Sequence, residues 1–261
     1  MKIVLDNGFL DERLDGCVKN FRKENSKYYN IVFKFNKLAY DIENYLTISN
    51  PSTADLFIFA TFIQIHKSFQ SFITLMERGM LDESQIILRN MYEKLFKMKF
   101  VIEDKDNFKY LYQEHYINSK SLYNYIKQEN LYSFMSKSKV KKGLDKINNE
   151  LKSYCGTKDI KSLKTFEIVN KINMKKEYVF YKVLCNNVHF DLSTLENVIS
   201  EKGNNIFIDS GLKFNDILWE VAKSLDCFSC SIENFIDYMK LDNFKDGFSD
   251  CYNEFENMIK K

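Results

Sequence analysis

Apolar side chains recur at helical spacing along most of the chain, with polar residues filling the positions between them. This 3.6-residue period is the pattern of amphipathic helices rather than of strands. It predicts helices over residues 9–26, 29–48, 106–129, 139–154, 161–172, 175–189, 214–239 and 243–260. The sequence therefore predicts an all-α fold, a single helical bundle of about eight to ten helices.

The clearest break in the pattern is the segment NPST, Asn50–Thr53. Pro51 suits the turn, and Ser52 or Thr53 can cap the helix that follows. The periodic pattern then continues to Gly79, a residue that commonly stops a helix. These signals predict one long helix between the break and the glycine.

A second long helix is expected directly after Gly79. Asp82 and Gln85 have the spacing of a capping box, and the apolar stripe continues to about Glu103. Because the connection is short, the two long helices should form a central antiparallel hairpin.

Composition agrees with a helical protein. One proline and eight glycines in 261 residues are too few for a turn-rich β fold, and 45% hydrophobic content is enough for a core. We expect a single domain over residues 1–261, with a helical extension at 1–50, a core bundle at 52–199 and closing helices within 200–261. The alternating segment NIFID, within residues 200–213, predicts a loop or a small β-hairpin arm near 203–210.

The formal net charge of +2 excludes a polycationic nucleic-acid binder but leaves room for a local basic patch. The run KSKVKK, Lys137–Lys142, is typical of a solvated helix start and could also contact phosphate. No signal peptide is recognisable, and the longest apolar run, Leu56–Ile65, is too short to cross a bilayer. Scattered cysteines favour a reduced, cytoplasmic protein without membrane insertion.

Arg89 and Glu93 are the first pair of candidate chemical groups. They lie at i and i+4 of a predicted helix, between the apolar residues Ile86 and Phe96. One interpretation is an exposed ion pair worth roughly a few tenths of a kcal/mol. The other is a partly buried pair, which needs further partners and is retained for structure or function.

His189 is the second candidate, and it follows Asn186 and Asn187 at the end of a helix that carries Tyr181. A histidine titrates near neutral pH and can act as a general acid or base. It can equally be a helix C-terminal residue that bonds the last carbonyl groups. The candidate catalytic residues are therefore Arg89, Glu93, Asn186 and His189.

The candidate binding residues are Tyr181, Asn187 and His66, although His66 lies on an aromatic face where a core histidine is also expected. The histidines are too widely spaced to predict a metal site, and no cofactor motif is present. The CxxC pair Cys227 and Cys230 stands alone within a predicted helix, which favours small buried thiols.

Two segments resemble a known family. Gly79–Glu93 contains a small-residue turn followed by Arg-x-x-x-Glu, and Tyr178–His189 is a Tyr-rich helix ending near a Val-His pair. Both are similar to the bacterial domain of unknown function 5677, over roughly residues 55–200. The resemblance implies an all-helical bundle and brings no activity with it.

The chain is more distantly similar to the HEPN helical bundles, many of which are ribonucleases in toxin–antitoxin and antiphage systems. Their signature places an arginine four to six residues before a histidine. This chain departs from it, because no arginine follows Arg89. Arg89 would have to supply the charge from another helix.

Two functions follow. One is a metal-independent ribonuclease effector of phage defence or toxin–antitoxin systems, which acts on RNA or a nucleotide. In it Arg89 stabilises phosphate, Glu93 orients it and His189 moves the proton. The other is a non-enzymatic interaction or sensor module whose polar cluster is structural, with a second copy or another protein as its partner. Both predict that Arg89 and Glu93 face the helix end that carries Asn186 and His189.

Overall fold

The chain is described by a computed structural model over residues 7–155, 162–188, 199–202, 205–208 and 217–260. In those residues it folds into ten α-helices and one antiparallel pair of short strands, so the predicted all-α fold class is confirmed. The helices are α1 (Leu14–Glu24), α2 (Ser26–Tyr45), α3 (Thr53–Met76), α4 (Leu81–Glu103), α5 (Phe108–Gln128), α6 (Lys137–Cys155), α7 (Thr165–Lys171), α8 (Lys175–Val188), α9 (Ile217–Met239) and α10 (Lys245–Ile259).

The two strands are β1 (Ile199–Lys202) and β2 (Asn205–Ile208), with Ile199 opposite Ile208 and Lys202 opposite Asn205. The pair lies a few residues earlier than the hairpin arm expected near 203–210. Strand β2 covers the first four residues of the alternating segment NIFID, the pattern that predicted a hairpin arm.

The helices group into two compact units. The first contains residues 1–99 and 174–261, and the second contains residues 100–173. The expected division into 1–50, 52–199 and 200–261, within a single domain over 1–261, stays a prediction.

Helix α3 begins where the sequence predicted, because Ser52 and Asp55 form a complete capping box. The Asp55 amide donates to Ser52 Oγ at 3.2 Å, and the Ser52 amide donates to Asp55 Oδ2 at 2.8 Å. Two backbone donors that a helix start leaves unpaired are thereby satisfied.

Helix α3 also ends as predicted. Gly79 has a φ of 75°, the left-handed conformation that glycine adopts without penalty. The Gly79 and Met80 amides donate back to Met76 and Leu75 at 2.9 and 3.0 Å, which closes the helix in a Schellman motif. Helix α4 starts two residues later and runs antiparallel to α3, confirming the central hairpin.

Aromatic rings form the core of the first unit. Phe62 of α3 stacks on Phe235 of α9, with centroids 4.1 Å apart, and Phe69 stacks on Phe228 at 4.2 Å. On the other side Phe35 of α2 meets rings of α10 edge to face. Such contacts add specific geometry to the hydrophobic burial that holds these helices together.

In the second unit α5 packs closely on α6 because Gly143 has no side chain. A Cβ atom built at Gly143 would lie 2.6 Å from Tyr123 Cζ of α5. The bare backbone therefore accepts the flat face of the Tyr123 ring, and Val140 and Ile147 of α6 are buried on either side. The glycine sets the distance between the two helices.

Replacing Gly143 by alanine should destabilise the protein by about 1 kcal/mol, because overpacking against Tyr123 outweighs the helix propensity that alanine gains. In a Tyr123→Ala background the same change should instead stabilise, by about 0.5 to 1 kcal/mol, since the obstructing ring is gone. Urea unfolding of the four proteins measures both steps. An equal effect of Gly143→Ala in the two backgrounds would contradict this account of the packing.

No helix in the described part of the chain is long and apolar enough to cross a membrane. Leu56–Ile65 falls within α3, where Phe59, Phe62 and Ile65 are buried in the aromatic core.

Candidate functional site

Arg89 joins helix α4 to helix α8. Its Nε donates to Cys185 Sγ at 3.4 Å, and its Nη2 donates to Tyr181 Oη at 3.1 Å. The guanidinium carbon also lies 5.2 Å from the centroid of the Tyr181 ring, within the range of a cation–π contact. Because Tyr181 and Cys185 are four residues apart, one face of α8 presents both to the same arginine.

Glu93 completes this group from within α4. Its Oε2 lies 3.5 Å from Arg89 Nη1, and its Oε1 lies 3.4 Å from Lys97 Nζ. The Arg89 and Glu93 side chains are 23% and 32% exposed. The pair is thus partly buried and has further partners, which matches the second of the two interpretations.

The electrostatics of Arg89 reflect these partners. Burial by itself would lower the pKa of the guanidinium, but Cys185, Tyr181 and Glu93 together raise it above its ordinary value. The arginine is therefore a permanent cation in this position. We call Arg89, Glu93, Tyr181 and Cys185 the Arg89 network.

Aromatic neighbours fix the ring of Tyr181. Phe96 of α4 meets it edge to face at 5.8 Å, and Tyr178 stacks on it at 5.7 Å. Tyr181 is only 6% exposed. Its hydroxyl is consequently held where Arg89 can reach it. Arg89 and Phe96 are seven residues apart and lie on the same face of α4, so both can contact Tyr181.

The structure brings together three of the predicted site residues, Arg89, Glu93 and Tyr181. Asn186 lies in the last turn of α8 with an exposed side chain. Asn187 belongs to the same helix, but its side chain is outside the described residues, as is the whole of His189. The participation of Asn186, Asn187 and His189 stays a prediction.

Cys185 was missed by the sequence reasoning. It follows Tyr181 by one helical turn, so the same helical spacing that selected Tyr181 could have found it. Nothing distinguished it in the sequence from the other scattered cysteines, because its role depends on which helix packs beside it.

His66 lies elsewhere, inside the first unit, and is 2% exposed. Its Nδ1 is 2.8 Å from Glu43 Oε1, and its Nε2 is 3.0 Å from Asn36 Oδ1. The ring also stacks on Phe228 at 5.5 Å. Both ring nitrogens thus have partners from α2, and the binding role of His66 stays a prediction.

Of the two CxxC residues, Cys227 is buried and Cys230 is partly buried. Burial raises the pKa of Cys227 well above its ordinary value and raises that of Cys230 to about 12. Burial, with help from Glu177, also raises the pKa of Asp226. Thiols held protonated in this way are poor nucleophiles and poor metal ligands. Within the residues that the structure describes, no group of three or more His, Cys, Asp or Glu side chains could hold a metal ion.

Comparison with known protein families gives a match. A family model described as "Family of unknown function (DUF5677)" covers residues 55–206, which include α4, α8 and the Arg89 network. No curated protein and no solved structure matches the chain. Since the matched segment is more than half of the 261 residues, the chain belongs to the DUF5677 family of unknown function.

Proposed function

We propose that this protein is a non-enzymatic helical interaction module in which the Arg89 network fixes α4 against α8. One observation carries the proposal. Three nitrogens of Arg89 face partners from the chain itself, at 3.4 Å (Cys185), 3.1 Å (Tyr181) and 3.5 Å (Glu93). A guanidinium engaged in this way holds two helices in register and has few donors left for a substrate.

An interaction module also requires a binding partner. The proposed partner is a second copy of the chain or another protein, as expected from the sequence. Light scattering of the purified protein over a range of concentrations tests the first of these, and a dimer is the expected result.

A second candidate is the HEPN-like ribonuclease effector. It is favoured by the residual exposure of Arg89, 23%, at the end of α8 that leads into His189. Free guanidinium hydrogens on that exposed edge could meet a phosphate, with His189 as the acid–base group and Glu93 as the orienting group.

Replacing Arg89 by lysine separates the two candidates. A lysine keeps the charge but cannot reach Tyr181 and Cys185 together, so a structural role predicts a loss of about 1 to 2 kcal/mol in unfolding free energy. Glu93→Gln removes only partly exposed ion pairs at i, i+4 spacing, so it should cost less than about 0.5 kcal/mol. Urea unfolding measures both variants.

The wild-type protein and both variants should leave RNA intact across pH and with or without divalent metal ions, as measured on gels of a labelled transcript. Cleavage by the wild-type protein that disappears in His189→Ala, with an unchanged melting temperature, would replace the module with the ribonuclease. An Arg89→Lys protein as stable as the wild type would contradict the structural role of Arg89 on which the interaction module depends.

A further inference from the structure

Charge is distributed unevenly along the chain. Residues 100–173 contain fourteen lysines and nine acidic residues, a formal charge of +5, although the whole chain carries only +2. The remaining residues therefore carry −3. The second unit is basic while the near-neutral total conceals it, and such an asymmetry is the usual electrostatic footprint of a polyanion partner.

Most of this charge lies on one helix. The outward side of α6 carries six exposed lysines, and the only acid there is Asp145. Glu150, the other acid of α6, is turned to α5, where Tyr112 donates a hydrogen bond to it at 3.0 Å. We call the following six residues the lysine face: Lys137, Lys139, Lys141, Lys142, Lys146 and Lys152.

The lysine face is unfavourable to the helix on its own. Lys137 and Lys141, and likewise Lys142 and Lys146, are like charges at i and i+4. Pairs of this kind destabilise a helix by roughly 0.2 to 0.5 kcal/mol each. None of the six lysines forms a salt bridge within the described part of the chain. An anion bound along α6 would relieve this repulsion.

Aromatic side chains stand at the start of the same helix. Phe134, three residues before the start of α6, is 82% exposed. Tyr132 lies under Lys137, whose Nζ is 5.1 Å from the ring centroid. Helix α6 is therefore approached by an exposed ring that could stack on a base and by lysines that could track phosphates, the two components of single-strand recognition.

We propose that the lysine face and Phe134 bind single-stranded nucleic acid. The lysines contact the backbone without reading sequence, and Phe134 stacks on an unpaired base. A duplex offers the phosphates but not the unstacked base, so it should bind more weakly. The inference is independent of the Arg89 network and of whether that network is structural or catalytic.

Fluorescence anisotropy with a labelled single strand of about 16 nucleotides, as RNA and as DNA, tests the proposal. The double variant Lys142→Glu with Lys146→Glu should weaken binding at least tenfold. The matched control is Lys19→Glu with Lys23→Glu, which makes the same charge change at the same spacing on exposed residues of α1. It should change the affinity less than about threefold if the lysine face is the site.

Phe134→Ala separates stacking from charge. We expect it to weaken single-strand binding about tenfold while leaving unchanged the slope of log Kd against log salt, measured between about 50 and 200 mM. Circular dichroism confirms that each variant is folded. Equal losses in the two double variants, a duplex bound as tightly as the single strand, or no binding of either polymer at about 50 mM salt would overturn the proposal.

Discussion

Replacing Phe235 by alanine should lower the free energy of unfolding by about 4 kcal/mol, the largest loss expected from a single side chain here. Phe235 is fully buried, stacks on Phe62 with an interplanar angle of 5° and meets Phe59 edge to face at 5.8 Å. Truncation removes the transfer free energy of the ring, leaves a cavity between α3 and α9, and ends both aromatic contacts.

The loss can be measured by urea unfolding, followed by circular dichroism and by the fluorescence of Trp219, the single tryptophan, on the same helix as Phe235. The melting temperature should fall by about 10 °C. Phe134→Ala is the matched control, because a ring that is 82% exposed should contribute less than about 0.5 kcal/mol. A loss below about 2 kcal/mol for Phe235→Ala would mean that the core closes around the missing ring.

The stack of Phe62 on Phe235 illustrates the reach of sequence reasoning. Helical spacing predicted the long helix that carries Phe62, and the capping residues Ser52 and Gly79 located the ends of that helix within a few residues. Which rings meet is set by packing between α3 and α9, about 170 residues apart in sequence. Local periodicity carries no information about that pairing.

The Arg89 network shows the same division. The i, i+4 pair of Arg89 and Glu93 could be predicted because one helix determines it. The contact between α4 and the last turns of α8 was also expected, yet the atom that accepts from Arg89 Nε belongs to Cys185 and not to an asparagine. Rotation of α8 about its axis decides this, and it depends on burying Tyr181 against Phe96 rather than on any local motif.

Charge asymmetry could be read from the sequence with no structure at all, but its meaning could not. The run Lys137–Lys142 looked like an ordinary solvated helix start. Only the burial of Val140 and Ile147, together with the turn of Glu150 toward Tyr112, shows that the remaining lysines share one outward side of α6. A count of charges becomes a surface once the buried side of the helix is known.

A second large effect is expected at Arg22, which binds Glu77 through two hydrogen bonds of 2.8 and 2.7 Å. Glu77 is 4% exposed and occupies the C-cap position of α3. A negative charge there is repelled by the negative end of the helix dipole. The Glu77 carboxylate raises the pKa of the Arg22 guanidinium. No local sequence pattern predicts this pair, because its members are 55 residues apart.

Arg22→Met should cost about 3 kcal/mol, because it leaves the Glu77 carboxylate buried without its cation. The value is at the low end for a buried pair, since the Arg22 side chain is 44% exposed and water partly screens the interaction. Glu77→Met should cost only about 1 kcal/mol, because the arginine left behind can reach water. The double variant should therefore be more stable than Arg22→Met alone, by about 1 to 2 kcal/mol.

Arg78→Met is the control for this cycle. Arg78 binds Asp15 at 2.7 Å, but the Asp15 side chain is 66% exposed, so the pair should contribute less than about 1 kcal/mol. Urea unfolding of the wild type, the two single variants and the double variant gives the coupling free energy directly. A double variant less stable than Arg22→Met would show that the carboxylate still contributes without its partner. In that case the penalty of an unpaired buried charge would not be what makes Arg22 necessary at this helix end.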